Sequence, residues 1–565
     1  MTTLLPTTTD GHGSVGTDAA STADVTPARG VCLTGGGALV RALAAHGVTD
    51  AFGIPGTHNL EIYRHLRPHG IRHVAPRHEQ GAGYAADAYA RLSGRPGVAI
   101  TTTGPALLNI AAAVGQAYSD SVPLLVVSPG MPLRHPRQPT GLLHEMRSQT
   151  DALRGVAAFS HRVSSVDETG AAVARAFTLF RTGRPRPVHI EIPLDLLETI
   201  EPAGAVRLAP PTGRTAADPE AVARAADALY TARRPVLVLG GGARAAAAEC
   251  LALAERLSAP VLTTANGKGV VDESHPLSLG VSLHSPAVRE WLADHDVVLA
   301  VGTELAESDT WAPLPPLTGT LIRLDLDPAQ MYTGPRADVP LVGDARSALG
   351  TLLAERPGTA ASPALPASRA HADVAALRTA RDDETRTRDA RWLPYLKAMR
   401  EVLAEDAVIT SDSAQCCYYG ALPHLPLSPS GRYLHPTGFG TLGYALPAAI
   451  GAKTAAPKRQ VVALSGDGGL QFSVQELATA AQLGHSLPVV VFDNGGYGEI
   501  RDEMAARGDA PAAVDLPAVD LSALARAYGG HGTVVRTPEA LAHALATALV
   551  TPGPTIVTVP EETPR

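Results

Sequence analysis

The stretch Arg459–Tyr497, RQVVALSGDGGLQFSVQELATAAQLGHSLPVVVFDNGGY, decides the fold of this chain. It reads as strand, tight turn, helix, strand, turn. Val461–Leu464 and Val489–Phe492 are short apolar runs rich in β-branched residues, the pattern of strands buried on both faces in a parallel sheet. Between them, Ser473-Val474-Gln475-Glu476 has the S-x-x-E form of a capping box, so the spacing predicts a helix starting near Ser473.

The two strand ends carry the chemistry. Gly466-Asp467-Gly468 puts a carboxylate in a turn whose neighbours lack a Cβ, which lets backbone approach a ligand. A helix start beside it directs free N–H groups and a positive dipole end at the same spot, which suits a diphosphate. Asp493-Asn494-Gly495-Gly496 follows the next strand and offers an amide oxygen and open carbonyls. Parallel strands end on one edge, so Asp467 and Asn494 are expected side by side. Carboxylate, amide, backbone and phosphate oxygens together suit a hard six-coordinate cation such as Mg²⁺. A lone G-D-G is an ordinary turn; the pair at this spacing is the signal.

At 565 residues the chain is long enough for three or four domains, and 45% apolar content with modest charge describes a globular protein. A net charge of −8 gives no basic footprint for nucleic acid or anionic membranes. Cys32, Cys250, Cys416 and Cys417 have neither metal-ligand spacing nor a disulfide framework, and the adjacent pair reads as small buried hydrophobes. No apolar run is long enough to span a membrane, and the first residues lack the basic start and apolar core of a signal peptide. The expected location is the cytoplasm.

In chain order, residues 1–29 read as a mobile tail. From Ala38, helices and strands alternate to about Pro193, which means a doubly wound parallel sheet over residues 30–195. Segment 201–217 reads as a linker, 218–355 as a second α/β domain, and 356–390 as a second linker that includes a charged helical stretch. The third α/β domain, 391–565, holds the opening motif. Gly240-Gly241-Gly242-Ala243-Arg244-Ala245 leaves G-x-G-x-x-G incomplete and reads as a structural turn. The expected fold is therefore α/β, three doubly wound parallel-sheet domains.

G-D-G, a capped helix, a strand and D-N-x-G resemble the thiamine diphosphate (ThDP) and Mg²⁺ motif of ThDP-dependent enzymes, which usually carry N-N where this chain has Asp493-Asn494. Arg77-His78-Glu79-Gln80-Gly81-Ala82-Gly83 resembles the segment supplying the cofactor-activating glutamate in the acetolactate synthase branch. Taken alone, Glu79 would simply complement a helix dipole. AFGIPG (51–56), TGPALLN (103–109), Leu324–Pro328 and GFGTLGYALPAAIGA (438–452) match that branch as well. The resemblance spans about residues 30–560 and implies a pyrimidine-binding, a central and a diphosphate-binding domain. It implies cofactor contacts at Pro55, Glu79, Asn109, Gly440, Leu442, Gly466, Asp467, Gly468, Gly469, Asn494, Tyr497 and Gly498. Asp467, Asn494 and Gly496 would hold the metal. Leu442 would be the apolar wedge folding the cofactor, where Met is frequent in the branch.

Within the branch, GLLHEMRSQ (141–149), SDSAQCCYYG (411–420), HPTGFGTLGYALP (435–447) and GGYGEIRDEM (495–504) look most like 5-guanidino-2-oxopentanoate decarboxylases. The implied reaction is decarboxylation of a 2-oxo acid through an enamine. Protonation then releases an aldehyde, or addition to a second carbonyl gives acetolactate synthase-type carboligation of pyruvate. A guanidinium tail needs carboxylates, and Glu145, Asp412, Asp502 and Glu503 are candidates; His78 and His144 are candidates for the substrate carboxylate or for proton transfer. For all of these a solvated surface position is the competing reading. Intact Glu79, Asp467 and Asn494 argue against a ThDP-binding protein without turnover. The resemblance also implies a homodimer or homotetramer, one chain's first domain completing a site with another's third. Two departures stand out. Ala106 replaces the second Gly of G-P-G-x-x-N. Acetolactate synthases also commonly bind FAD in the central domain, but Gly302–Asp309 is acidic without Arg, which makes FAD doubtful.

Overall fold

The computed structural model describes residues 32–136, 138–202, 204–355 and 366–561. The expected tail, 1–29, lies outside them. Three six-stranded, all-parallel sheets dominate, with helices packed on their faces. The first is ordered Arg72–Val74, Asp50–Gly53, Gly97–Ile100, Leu124–Gly130, Val188–Pro193, Phe159–Arg162. The third repeats that order with Arg432–Leu434, Val408–Ser411, Val461–Gly466, Leu487–Asp493, Pro554–Pro560, His531–Val534. The central sheet differs: Ser278–Val281, Val261–Thr263, Pro235–Leu239, Val297–Val301, Thr320–Asp325, Val339–Val342. A short antiparallel pair, Cys32–Thr34 with Ile200–Pro202, closes the first domain.

In an open parallel sheet, ligands bind beyond the C-terminal strand ends where the winding direction reverses. In the first and third sheets that point lies between the first and third strands in sequence. It selects the loops after Gly53 and Ile100 in the first domain, and those after Ser411 and Gly466 in the third.

These two domains share one apolar core, joined by helices Glu79–Ser93 and Ala445–Ala455. The helices meet so closely that a Cβ on Gly451 would run into the carbonyl of Ala85. Alanine-rich faces make the approach possible; the gain is dispersion contact along two full helices.

Two expectations need correction. The second linker is largely a 23-residue helix, Ala367–Asp389, seated on the central domain through buried Ala370, Val374 and Arg381; residues 356–365 lie outside the description. The capping box does not form. Asp467–Leu470 is one short turn of helix, and the longer helix begins only at Glu476. Ser473 Oγ is buried without a hydrogen-bond partner among the described residues: the Glu476 N–H donates to the Ser473 carbonyl instead, and the Glu476 carboxylate is engaged in the other domain. Among the described residues, no helix is long and apolar enough to cross a membrane.

Candidate active site

The third-domain half is built on adjacent strands whose pairing brings Gly466 opposite Phe492. Asp467 and Asn494 therefore sit side by side, and the Asn494 backbone amide donates to Asp467 Oδ1 at 3.2 Å. Burial, reinforced by the nearby Asp493 carboxylate, pushes the Asp467 carboxyl up to about 6. Asn494 Oδ1 is buried, and among the described residues nothing donates to it. An acidic carboxylate beside an orphaned amide oxygen is the donor set a hard cation satisfies. Gly496 follows with φ +148, a backbone conformation that favours glycine. A Cβ on Gly468 would lie 3.1 Å from the Tyr497 ring, and one on Gly498 would strike the Asn494 side-chain amide. Gly466, Gly468, Gly469, Tyr497 and Gly498 thus ring the pair.

Asp412 lies beneath this turn, its Cγ 3.2 Å from where a Cβ on Gly469 would stand. Its carboxylate accepts from Ser413 N, from Gly443 N at 2.9 Å and from Ser465 Oγ. Burial pushes its pKa up to about 6. Asp412 thus fastens the loop bearing Gly440 and Leu442 to the strand ends, with its oxygens already occupied. The same loop reaches the first domain, where Thr441 Oγ1 hydrogen-bonds Tyr84 and Phe439 lies on Gly115.

The first-domain half sits at its own reversal point. Asn59 is fully buried and locks the turn bearing Pro55, accepting from Gly56 N and donating to Ile54 O. Gly104, at φ +63, opens the helix Pro105–Ser119; Ala106 lies inside that helix, so the missing glycine costs the turn nothing. Asn109 Nδ2 donates to Glu79 Oε2 at 2.9 Å. Thr103 Oγ1 bridges two imidazoles, His58 Nδ1 at 2.6 Å and His144 Nδ1 at 3.1 Å. Burial and the neighbouring His144 lower the pKa of His58.

The remaining candidates divide. His78 caps the helix Glu79–Ser93, its Nδ1 accepting from Gln80 N. The Thr140, Gly141 and Leu142 amides donate to Glu145 and, with His135 paired to it, hold its carboxyl below the usual range. Glu503 is exposed and lies 3.7 Å from Arg507.

The sequence reading missed His58, Gln415, Glu499 and the true role of Glu476. Gln415 Nε2 donates to Glu499 Oε2 at 3.0 Å and to Asp502 Oδ2 at 2.8 Å. Tyr418 and Tyr419 hydroxyls also donate to Glu499. This cluster begins beside Asn494; Gln415 precedes, and Tyr418 and Tyr419 lie in, the π-helical turn Cys416–Ala421 at the third domain's reversal point. Nothing local separates Glu499 from the neighbouring acids, because its glutamine and tyrosine partners come from another strand end.

A cleft of about 730 Å³ opens where the three domains meet, lined by Asp120 and Arg184 of the first, Gly241, Arg244 and Glu304 of the central, and Arg432 and Thr437 of the third. In the acidic stretch, Glu304 pairs with Arg184 and Arg186 from the first domain, and Arg91 and Arg244 also face the cleft.

Comparisons with known proteins cover most of the chain. Residues 33–152, 222–352 and 414–559 match the N-terminal TPP-binding, central, and C-terminal TPP-binding domains of thiamine pyrophosphate enzymes. A protein of Pseudomonas aeruginosa named probable 2-ketoarginine decarboxylase AruI is 44% identical over 511 residues, covering 90% of each chain. The acetolactate synthase large subunit of Parasynechococcus marenigrum is 34% identical over 570 residues, covering 93% of this chain and 87% of the relative. An acetolactate synthase of Arthrospira platensis is 33% identical over 569 residues, covering 93% and 94%. With three domain matches in order and relatives of this kind over nearly its full length, the chain belongs to the thiamine pyrophosphate enzymes, in the group that includes decarboxylases and acetolactate synthases.

Proposed function

We propose that this enzyme is a ThDP- and Mg²⁺-dependent decarboxylase of a 2-oxo acid with a guanidino tail, 5-guanidino-2-oxopentanoate. The observation that carries the reading is the Glu499 cluster beside Asn494. A carboxylate fixed by two tyrosines and a glutamine, with Asp502 on the same glutamine, suits a planar cation. The relative's name, 2-ketoarginine decarboxylase, points the same way.

Asp467, Asn494 and the Gly496 carbonyl would hold Mg²⁺, and the glycines around them leave room for the diphosphate. Leu442 would support the folded cofactor. Bound ThDP supplies a thiazolium carbon that adds to the ketone and accepts the electrons released with CO₂. Glu79, oriented by Asn109, would hold a proton at the aminopyrimidine ring. His144 and His58 would move the proton that releases the aldehyde. Asn109 is exposed with half-buried Glu79 beside it, and Leu60, Leu108 and Phe472 are exposed, which supports completion of each site by a second chain in a homodimer or a homotetramer.

The test is product analysis of the purified enzyme with ThDP and Mg²⁺, given 5-guanidino-2-oxopentanoate and pyruvate in parallel. Guanidinobutanal from the first, with little product from the second, is expected. The acetolactate synthase relatives favour the second reading, carboligation of pyruvate, and acetolactate as the product would establish it.

A further inference from the structure

The carboxylate of Glu476 is fully buried and crosses from the third domain to the first. Oε1 accepts from Arg77 N and His78 N, both at 3.0 Å, and Oε2 accepts from Arg77 N at 3.1 Å and Thr479 Oγ1 at 2.7 Å. The two amides belong to the residues immediately before Glu79, where the chain turns into its helix. His78 is extended there (φ −148, ψ 146), so its N–H has no helical partner. Gly81 completes the fit, since a Cβ there would stand 2.5 Å from Glu476 Oε1. Arg77 adds a second link between the domains by donating to Gln482 Oε1 at 2.7 Å.

We propose that Glu476 is a positioning residue for Glu79: by holding the Arg77 and His78 amides, it fixes the turn from which the Glu79 carboxylate reaches the cofactor. The proposal rests on Glu79 acting as described above. A buried backbone N–H without an acceptor is costly, so removal of the carboxylate obliges this turn to move. Misplacement by about 1 Å at a reacting group can cost about 10²-fold. Glu476 also follows Asp467 within one motif. In the two-chain arrangement, the segment that holds one cofactor therefore also fixes the glutamate that serves the other.

The test compares Glu476→Ala, Glu476→Gln and Glu79→Gln holoenzymes. It reads deuterium exchange at the thiazolium carbon of bound ThDP by acid quench and NMR, together with calorimetric ThDP affinity. Glu476→Ala is expected to slow exchange by about tenfold or more while ThDP affinity stays within about threefold. Glu476→Gln keeps an acceptor oxygen for both amides and is expected to restore most of the exchange rate. Normal exchange in folded Glu476→Ala overturns the proposal, and so do equal losses in the Ala and Gln variants. Should the alanine variant not fold, Gly81→Ala displaces the carboxylate instead, and normal exchange there overturns the proposal equally. Wild-type exchange in Glu79→Gln removes Glu79 itself from the reaction, a failure of the functional reading and not of the contact.

Discussion

Glu476 and His78 lie 398 positions apart in sequence and are joined by a hydrogen bond of 3.0 Å from the His78 amide to Glu476 Oε1. The bond ties the helix after the metal-binding turn to the start of the helix that carries Glu79. Two domains that share an apolar core along their helix faces thus gain a directional contact at the site itself. Apolar packing tolerates small sliding, whereas a buried carboxylate with three donors does not.

Glu79→Gln should abolish turnover, with a loss of at least about 10²-fold in kcat, the scale of a lost proton-transfer group. The fold should survive, because the Asn109 side chain can still donate to the amide oxygen that replaces the carboxylate. Circular dichroism checks the fold and steady-state kinetics the loss; wild-type kcat would exclude Glu79 from the mechanism.

Metal binding should weaken below neutral pH. A metal ligand must be deprotonated, and burial holds the Asp467 carboxyl at about 6. Lowering the pH from 7 to 5 should cost about tenfold in Mg²⁺ affinity from this group alone. The folded value lies above the unfolded one, so the metal-free protein gains stability from this group as pH falls through the same window. Asp412 titrates there too. In an Asp412→Asn control the pH dependence should remain, whereas Asp467→Ala should lose Mg²⁺-dependent ThDP binding altogether. Calorimetry at the two pH values decides.

Glu499→Gln removes the charge at the centre of the tyrosine cluster while keeping its shape. We expect kcat/KM for 5-guanidino-2-oxopentanoate to fall by about tenfold to a hundredfold, the scale of a lost charge-assisted hydrogen bond. Activity with a 2-oxo acid of similar length and an uncharged tail should be unaffected or improved. Equal losses on both substrates would remove Glu499 from specificity.

Gly451→Ala should destabilise the protein by about 1–3 kcal/mol, since its Cβ would be forced against the Ala85 carbonyl where two helices cross. Thermal unfolding of the metal-free enzyme reads this directly, and an unchanged Tm would show that the helices separate without cost.

Much of this was legible in the sequence. The apolar runs ending in Gly466-Asp467-Gly468 and Asp493-Asn494 determined a parallel sheet with both motifs on one edge, because strand period and parallel connectivity leave little choice. The helix Pro219–Thr231 and the strands Pro235–Leu239 and Val297–Val301 fall where periodicity places them. Local pattern determines local structure when burial and propensity agree.

Tertiary structure decided the rest. Ser473-Val474-Gln475-Glu476 has every local feature of a capping box, yet Glu476 serves amides in another domain. A buried carboxylate that can reach two N–H groups across a domain boundary gains more than from one amide at its own helix end. Likewise, Glu145 and His78 look functional in sequence but are spent on their own loop and helix cap. Glu499 looks like one surface acid among several until Gln415, Tyr418 and Tyr419 arrive from another strand end. Which hydrogen-bonding group meets which depends on distances that exist only once the chain has folded, and this sequence specifies them only through its packing.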